Sequence, residues 1–385
     1  MNLEVEPLEK KRKTKNPLPP PSPPSFSLLP DEITVDCLAR ISRSYYPTLS
    51  TVSKSFRSLL SSSELIAARS HLGSTEMCVY VCLADRSRQH PQWFRLWINP
   101  NRTLPNSVTK KKKTIGQLLV PLPDTNLPSP PSLTTVAVGS EIYAIGGPVG
   151  GAPSSAVQVL DCRSHTWRDA PSMNLARKDA LSCVYDGKIY VFGGCEFKDE
   201  PWGEVFDTKT QTWERLPDPG YEVSKFRVKR IREVEGKIFY GRFEEKNAYD
   251  TKQGKWEYGK PLVPKAPRSD VHLLRRNKFA FSMHGYLLYE VEGGDWKKLK
   301  GLDSLEDKYR RNGGCFGSIP RIVSCGGELF FIWEGGCTCR KKIWCAGIVL
   351  EERYGGEMWG NVEWVDVVHT VPTECRLLRC HAVLV

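Results

Sequence analysis

Apolar positions change their period once along the chain, near residue 75. From Leu28 to about Gly73 they recur at helical spacing. Pro30 suits the first turn of a helix, and Asp31 and Glu32 suit its positive dipole end. Ile33, Cys37, Leu38 and Ile41 then fall on one expected face. Pro47 interrupts the pattern and opens a second helical stretch, in which Leu49, Val52, Phe56 and Leu59 recur at spacings of three, four and three. A third helix is expected from about Ser63 to Ser70. Three short helices in so few residues form a marginal core, the kind of module that a partner completes.

From about Glu76 the pattern is one of short strands with an internal repeat. Val138-Gly139-Ser140-Glu141-Ile142-Tyr143-Ala144-Ile145-Gly146-Gly147 is echoed by Tyr185-Asp186-Gly187-Lys188-Ile189-Tyr190-Val191-Phe192-Gly193-Gly194. Each copy is followed by a tryptophan, Trp167 or Trp213. Weaker copies are Glu235 to Tyr240 with Trp256, Arg276 to Phe281 with Trp296, and Cys325 to Phe331 with Trp344. A glycine turn joins two apolar strands, paired glycines permit a bend where no side chain fits, and a tryptophan fills the gap between neighbouring sheets. Each repeat therefore reads as a four-stranded blade, and blades in a ring leave few exposed edges. Leu377 to Val385 has the pattern of the first strand of a sixth blade. Its partners are expected in Met77 to Leu83 and Trp93 to Ile98, so that the two ends of the chain close the ring.

The repeats resemble the kelch repeat. Leu29-Pro30-Asp31-Glu32, Leu38-Ala39-Arg40-Ile41 and Leu49 to Leu60 resemble an F-box. In this order they are similar to the plant F-box/kelch-repeat family. The resemblance implies an all-β six-bladed kelch β-propeller with a small N-terminal all-α F-box domain. Residues 26–73 would be the F-box and 76–385 the propeller, after a basic, proline-rich and disordered tail at 1–25. It further implies a substrate-recognition subunit of an SCF-type cullin-RING ubiquitin ligase. The F-box would bind a SKP-type adaptor, and through it a cullin, while the propeller holds a target protein. The adaptor-facing residues carried over are Leu29, Pro30, Ile33, Leu38, Leu49 and Val52, entering a partner's groove as apolar anchors. Leu38 and Val52 could equally hold the helices together. The reading from another class is a kelch interaction scaffold unconnected with ubiquitination.

Charge and chemistry refine this picture. The chain has 55 Lys and Arg against 44 Asp and Glu, a net +11, which invites nucleic acid. The excess is local: residues 226–311 carry +8 and residues 76–131 carry +5, whereas 132–225 carry −4. Lys229-Arg230-Ile231-Arg232, Arg275-Arg276 and Arg310-Arg311 are expected on strand flanks and loops of two blades, without the aromatic interleaving of a nucleic-acid face. A docking surface for an acidic protein fits better. Lys10-Lys11-Arg12-Lys13 has the composition of a nuclear-import signal, so the expected location is nucleus, cytoplasm or both. Apolar runs such as Cys345 to Leu350 are far shorter than a membrane span, and Met1 to Glu6 does not open a secretory signal. Thirteen cysteines then read as reduced thiols. Cys337-Thr338-Cys339 with Cys345 and Cys325 is not a standard zinc knuckle. Motifs of hydrolases, zinc proteases and nucleotide-binding enzymes are absent from the sequence, so neither catalysis nor a cofactor is expected.

Overall fold

A computed structural model describes residues 29–85, 91–98, 118–122, 134–147, 152–195, 202–220, 230–234, 236–241, 247–258, 271–274, 277–281, 287–290, 296–312, 320–337 and 340–385. The tail, the Lys10 to Lys13 and Lys110 to Lys113 runs, Lys229 and Arg275-Arg276 lie outside these residues.

Among the described residues, six four-stranded antiparallel sheets follow the helices. Blade 1 is β4 (Thr135–Val138), β5 (Glu141–Ile145), β6 (Val157–Asp161) and β7 (Thr166–Ala170). Blade 2 is β8 (Leu181–Tyr185), β9 (Lys188–Phe192), β10 (Gly203–Asp207) and β11 (Thr212–Arg215). Blade 3 is β12 (Arg230–Val234), β13 (Lys237–Gly241), β14 (Asn247–Asp250) and β15 (Lys255–Glu257). Blade 4 is β16 (Val271–Leu274), β17 (Asn277–Phe281), β18 (Leu287–Glu290) and β19 (Trp296–Lys298). Blade 5 has a short β20 (Arg321–Cys325) and three long strands, β21 (Glu328–Cys337), β22 (Arg340–Arg353) and β23 (Glu357–Val371).

The sixth sheet closes the ring as the repeat pattern requires. Its order is β24 (Arg376–Leu384), β1 (Met77–Ala84), β2 (Gln92–Trp97) and β3 (Leu118–Pro121), so the last strand of the chain is the inner strand of a blade begun by the first. Around the axis β24 lies against β4 and β4 against β8, then β8 against β12; β16 lies against β20, and β20 against β24. In blades 1, 2, 3, 4 and 5 the inner strand is thus the first of its blade, and in the closing blade it is the last strand of the chain. On β21, Glu334 locks the closing strand: it accepts from the backbone N–H of Leu377 and from Lys341 Nζ at 3.0 Å, and Lys341 also donates to Cys375 O at 2.7 Å.

The repeated residues act between blades. Gly194 has φ +75°, and a Cβ there would stand 2.7 Å from Lys178 O. Close approach lets Gly194 O accept from Lys178 N at 2.7 Å, while Arg177 O accepts from Gly147 N at 2.9 Å. Each end of the paired glycines in blades 1 and 2 is therefore tied to the segment that enters blade 2. The tryptophans reach backwards: Trp213 Nε1 donates to Pro171 O and Trp256 Nε1 to Pro217 O, both at 2.7 Å. Each acceptor follows the outer strand of the preceding blade, so in blades 2 and 3 the residue ties its blade to the one before. Blades 2 and 3 also share an aromatic wedge, in which Trp256 lies 5.7 Å from Phe192 and 5.2 Å from Tyr240 between ring centroids.

Trp344 lies on the third strand of blade 5, whereas Trp213 and Trp256 lie on the fourth of theirs, because the strands of blade 5 are longer. Two details differ from the sequence reading. Arg310-Arg311 ends a helix, α5 (Asp303–Arg311), rather than flanking a strand. It is inserted between blades 4 and 5 and buries Leu305 and Tyr309. β3 was not expected either. It pairs with β2 through Leu118 to Pro121 and supplies the outer strand of the closing blade.

Candidate functional site

The helical module is built from α1 (Asp31–Ala39), α2 (Tyr46–Leu49), α3 (Lys54–Leu59) and α4 (Ser63–His71). Pro30 occupies the position before α1 with φ −53°, and Asp31 and Glu32 lie at its positive end. Serines start the later helices. Ser53 Oγ accepts from Phe56 N at 3.1 Å, and Ser62 Oγ accepts from Leu65 N at 3.2 Å. The cap at Ser53 splits the expected second helix into α2 and α3 and leaves Val52 in the break between them.

Val35, Leu38, Ala39 and Leu65 form the small core, supported by Leu49, Phe56 and Leu59. The buried face of α1 is Thr34, Val35, Leu38 and Ala39, rotated from the expected face of Ile33, Cys37, Leu38 and Ile41. α4 packs on α1 and selects this face, and Ile41 falls after the helix has ended. The six carried-over residues separate accordingly. Leu38 is 1% exposed and is a core residue, without surface to offer a partner. Leu49 is half-buried against the core. Leu29, Ile33 and Val52 are 40%, 50% and 63% exposed, and Pro30 is exposed. Three exposed large aliphatic side chains on so small a module leave apolar area that a partner can cover.

The module is joined to the closing blade by hydrogen bonds and an ion pair. Trp97, at the end of β2, donates Nε1–H to Ser44 O at 2.7 Å. The Glu76 carboxylate accepts from Arg43 N at 3.0 Å and lies 3.3 Å from Arg69 Nη2. Arg69 is 3% exposed; its Nη1 donates to Ala39 O at 3.1 Å, Ile41 O at 2.8 Å and Tyr46 Oη at 3.2 Å. It thus satisfies carbonyls left free where α1 ends. Glu76 in turn exchanges backbone hydrogen bonds with Val385, both at 2.8 Å. The helical module, the first strand and the last strand meet at this residue. The spacing patterns did not single out Glu76, Arg69 or Trp97, because a seam between modules has no period.

Among the described residues, no three His, Cys, Asp or Glu side chains are grouped to hold a metal ion. Cys325 and Cys345 are in the core between blades 5 and 6, where burial pushes the Cys325 thiol up to about 12. Burial also raises the Cys345 thiol well above its ordinary value, and such thiols are packing groups. Cys339 lies outside the described residues. No helix among the described residues is long and apolar enough to cross a membrane.

A short helical module seated on one blade of a six-bladed ring defines a class: an F-box followed by a kelch propeller. The F-box domain model matches residues 26–67, and the model described as FKB95, Kelch-repeats domain, matches residues 93–369. The Arabidopsis thaliana F-box/kelch-repeat protein At4g19870 is 54% identical, with all of each chain covered. Another from that plant, F-box/kelch-repeat protein At4g19865, is 57% identical over 94% of this chain and 93% of its own. The chain belongs to the plant F-box/kelch-repeat family. Proteins of this class are in general substrate adaptors rather than enzymes.

Proposed function

We propose that this protein is the substrate receptor of an SCF-type ubiquitin ligase. Its F-box docks on a SKP-type adaptor, which connects it to a cullin, and the propeller holds the protein to be modified. The observation that carries this reading is the exposure of Leu29, Ile33 and Val52 on an F-box whose other large aliphatic side chains, among the described residues, are buried or half-buried. We assign the adaptor contact to Leu29, Pro30, Ile33 and Val52, with Leu49 at its margin. Leu38 acts indirectly, by holding α1 against α4.

Burying a large aliphatic side chain contributes about 1.5–3 kcal/mol, so truncating two partly exposed ones is expected to cost about 2–4 kcal/mol. The test is co-purification of the full chain with a SKP-type adaptor and a cullin. Ile33→Ala with Val52→Ala should weaken adaptor binding by about thirtyfold or more while the thermal midpoint of the propeller stays put. Failure of the unaltered chain to recruit an adaptor would refute the ligase reading. Import through Lys10 to Lys13 is proposed separately, and replacing the run by alanines should then shift a fluorescent fusion towards the cytoplasm.

A further inference from the structure

The seam between F-box and propeller contains more buried positive charge than it neutralises. Arg43 is 6% exposed, yet among the described residues its guanidinium has neither a carboxylate partner nor a hydrogen bond, and its Nε is a buried donor without an acceptor. Arg69, 3% exposed, shares the region and spends its one ion pair on Glu76. Glu76 gives its remaining capacity to the backbone N–H of Arg43, not to the side chain.

A third guanidinium joins them from the blade. Arg95 on β2 stands directly opposite Tyr80 on β1, which places both on the face turned to blade 1. Two residues on, Trp97 is bonded to Ser44, the neighbour of Arg43. Arg95 has no ion pair or hydrogen bond among the described residues and is half-buried. Tyr80 Oη donates to Cys162 O at 2.8 Å and lies 3.1 Å from His165 Nε2. Arg163 is accounted for by Asp161 at 3.3 Å. Among the described residues three arginines therefore face one carboxylate, leaving two positive charges without a counterion there, in a region where an unpaired charge is costly.

The surroundings register this field. His165 is held down to about 4, first by burial and then by Arg95 and Arg43, with only Asp161 opposing. Arg43 is itself lowered, by burial and by Arg69.

We propose that the seam is a binding site for a phosphate group, held by Arg43 and Arg95 between the F-box and the closing blade. A dianion matches the two uncompensated charges, whereas a single carboxylate would leave one unpaired. Guanidinium groups are also suited to phosphate by geometry. Because Arg43 belongs to the F-box and Arg95 to the propeller, occupancy would couple the two modules. The inference is independent of the ligase reading, since it concerns this chain alone.

The test is calorimetric binding of inorganic phosphate and of glycerol 3-phosphate to the full chain, in chloride at an ionic strength of about 0.15 M. Binding with Kd of about 1 mM or tighter is expected, weakened about tenfold or more in Arg95→Gln. Arg95 is half-buried and unpaired, so its replacement should leave the fold intact. Tighter binding of the ester would identify a phosphorylated small molecule, and equal binding the free ion. A second readout needs no variant. Phosphate should raise the pH at which the His165 ring titrates by NMR, because it neutralises Arg43 and Arg95; Asp161 and Tyr80, the other groups facing the ring, are unchanged. No binding above the chloride background, equal affinity in Arg95→Gln, or an unmoved His165 titration would overturn the proposal.

Discussion

Blades 1 and 2 and the pair formed by blades 4 and 5 solve the same packing problem with different additions to an apolar core. Between blades 1 and 2 an apolar cluster that includes Val136, Ile145, Val159, Ile189, Val191 and Phe206 is supplemented by a buried polar network that fixes the connecting segment to blade 2. Arg177 and Glu204 are both fully buried and paired at 2.8 Å. Arg177 also donates to Gly193 O at 2.8 Å and Trp202 O at 2.9 Å, and Glu204 accepts both the backbone and side-chain N–H of Asn174. Between blades 4 and 5 the joint is an aromatic stack under an inserted helix. Tyr309 of α5 lies 5.5 Å from Phe331 and 6.0 Å from Trp333, and Trp333 stacks on Trp344 at 5.8 Å. A polar network demands one geometry, since every donor must find its acceptor. An aromatic joint tolerates insertion and strand lengthening, because its attraction is less directional. The regular repeats lie beside the first kind of joint and the irregular ones beside the second.

The contrast can be broken most forcefully at Glu204. Glu204→Ala leaves Arg177 charged and buried, and should cost about 3–5 kcal/mol, read as a lowered urea midpoint. A loss below about 1 kcal/mol would mean that the polar network does not hold the connecting segment on blade 2. At the aromatic joint, Tyr309→Ala should cost about 3 kcal/mol, near the lower end for an aromatic truncation, because α5 is an insertion that can settle back. Hydrogen exchange should then rise in residues 303–312 and 329–333 and remain unchanged in blade 2. Trp213→Phe keeps the ring but removes the bond to Pro171 O, at about 1 kcal/mol. Its effect should be confined to the junction of blades 1 and 2.

Legibility followed the same division. The strands of blades 1 and 2 could be placed from paired glycines and a recurring tryptophan because those residues answer a local requirement that repeats with every blade. Closure by Leu377 to Val385 was legible because an incomplete repeat at one end matched strand patterns at the other. Arg177 was not, since a lone arginine before a strand looks like any solvated cation until Glu204 is seen beside it. α5 was hidden in a charged run whose apolar positions, Leu302, Leu305 and Tyr309, are too few to outweigh it. In the F-box, spacing alone could not decide which side of α1 meets α4, so the sequence pattern placed Leu38 correctly on the inner face and Ile33 incorrectly beside it.

The order of strands in the closing blade carries a consequence for synthesis. β1 leaves the ribosome early, but its inner partner β24 follows about 290 residues later, which at about 5–20 residues per second is a delay of roughly 15–60 s. Throughout that interval Val79, Val81 and Leu83 lack the neighbour that pairs with them in the finished ring. The nascent chain must keep an apolar strand edge unpaired, and a truncated message ending before Arg376 would yield five blades that cannot close. The seam at Glu76 is completed by the same event, so the F-box gains its final bond to the propeller only when the ring shuts.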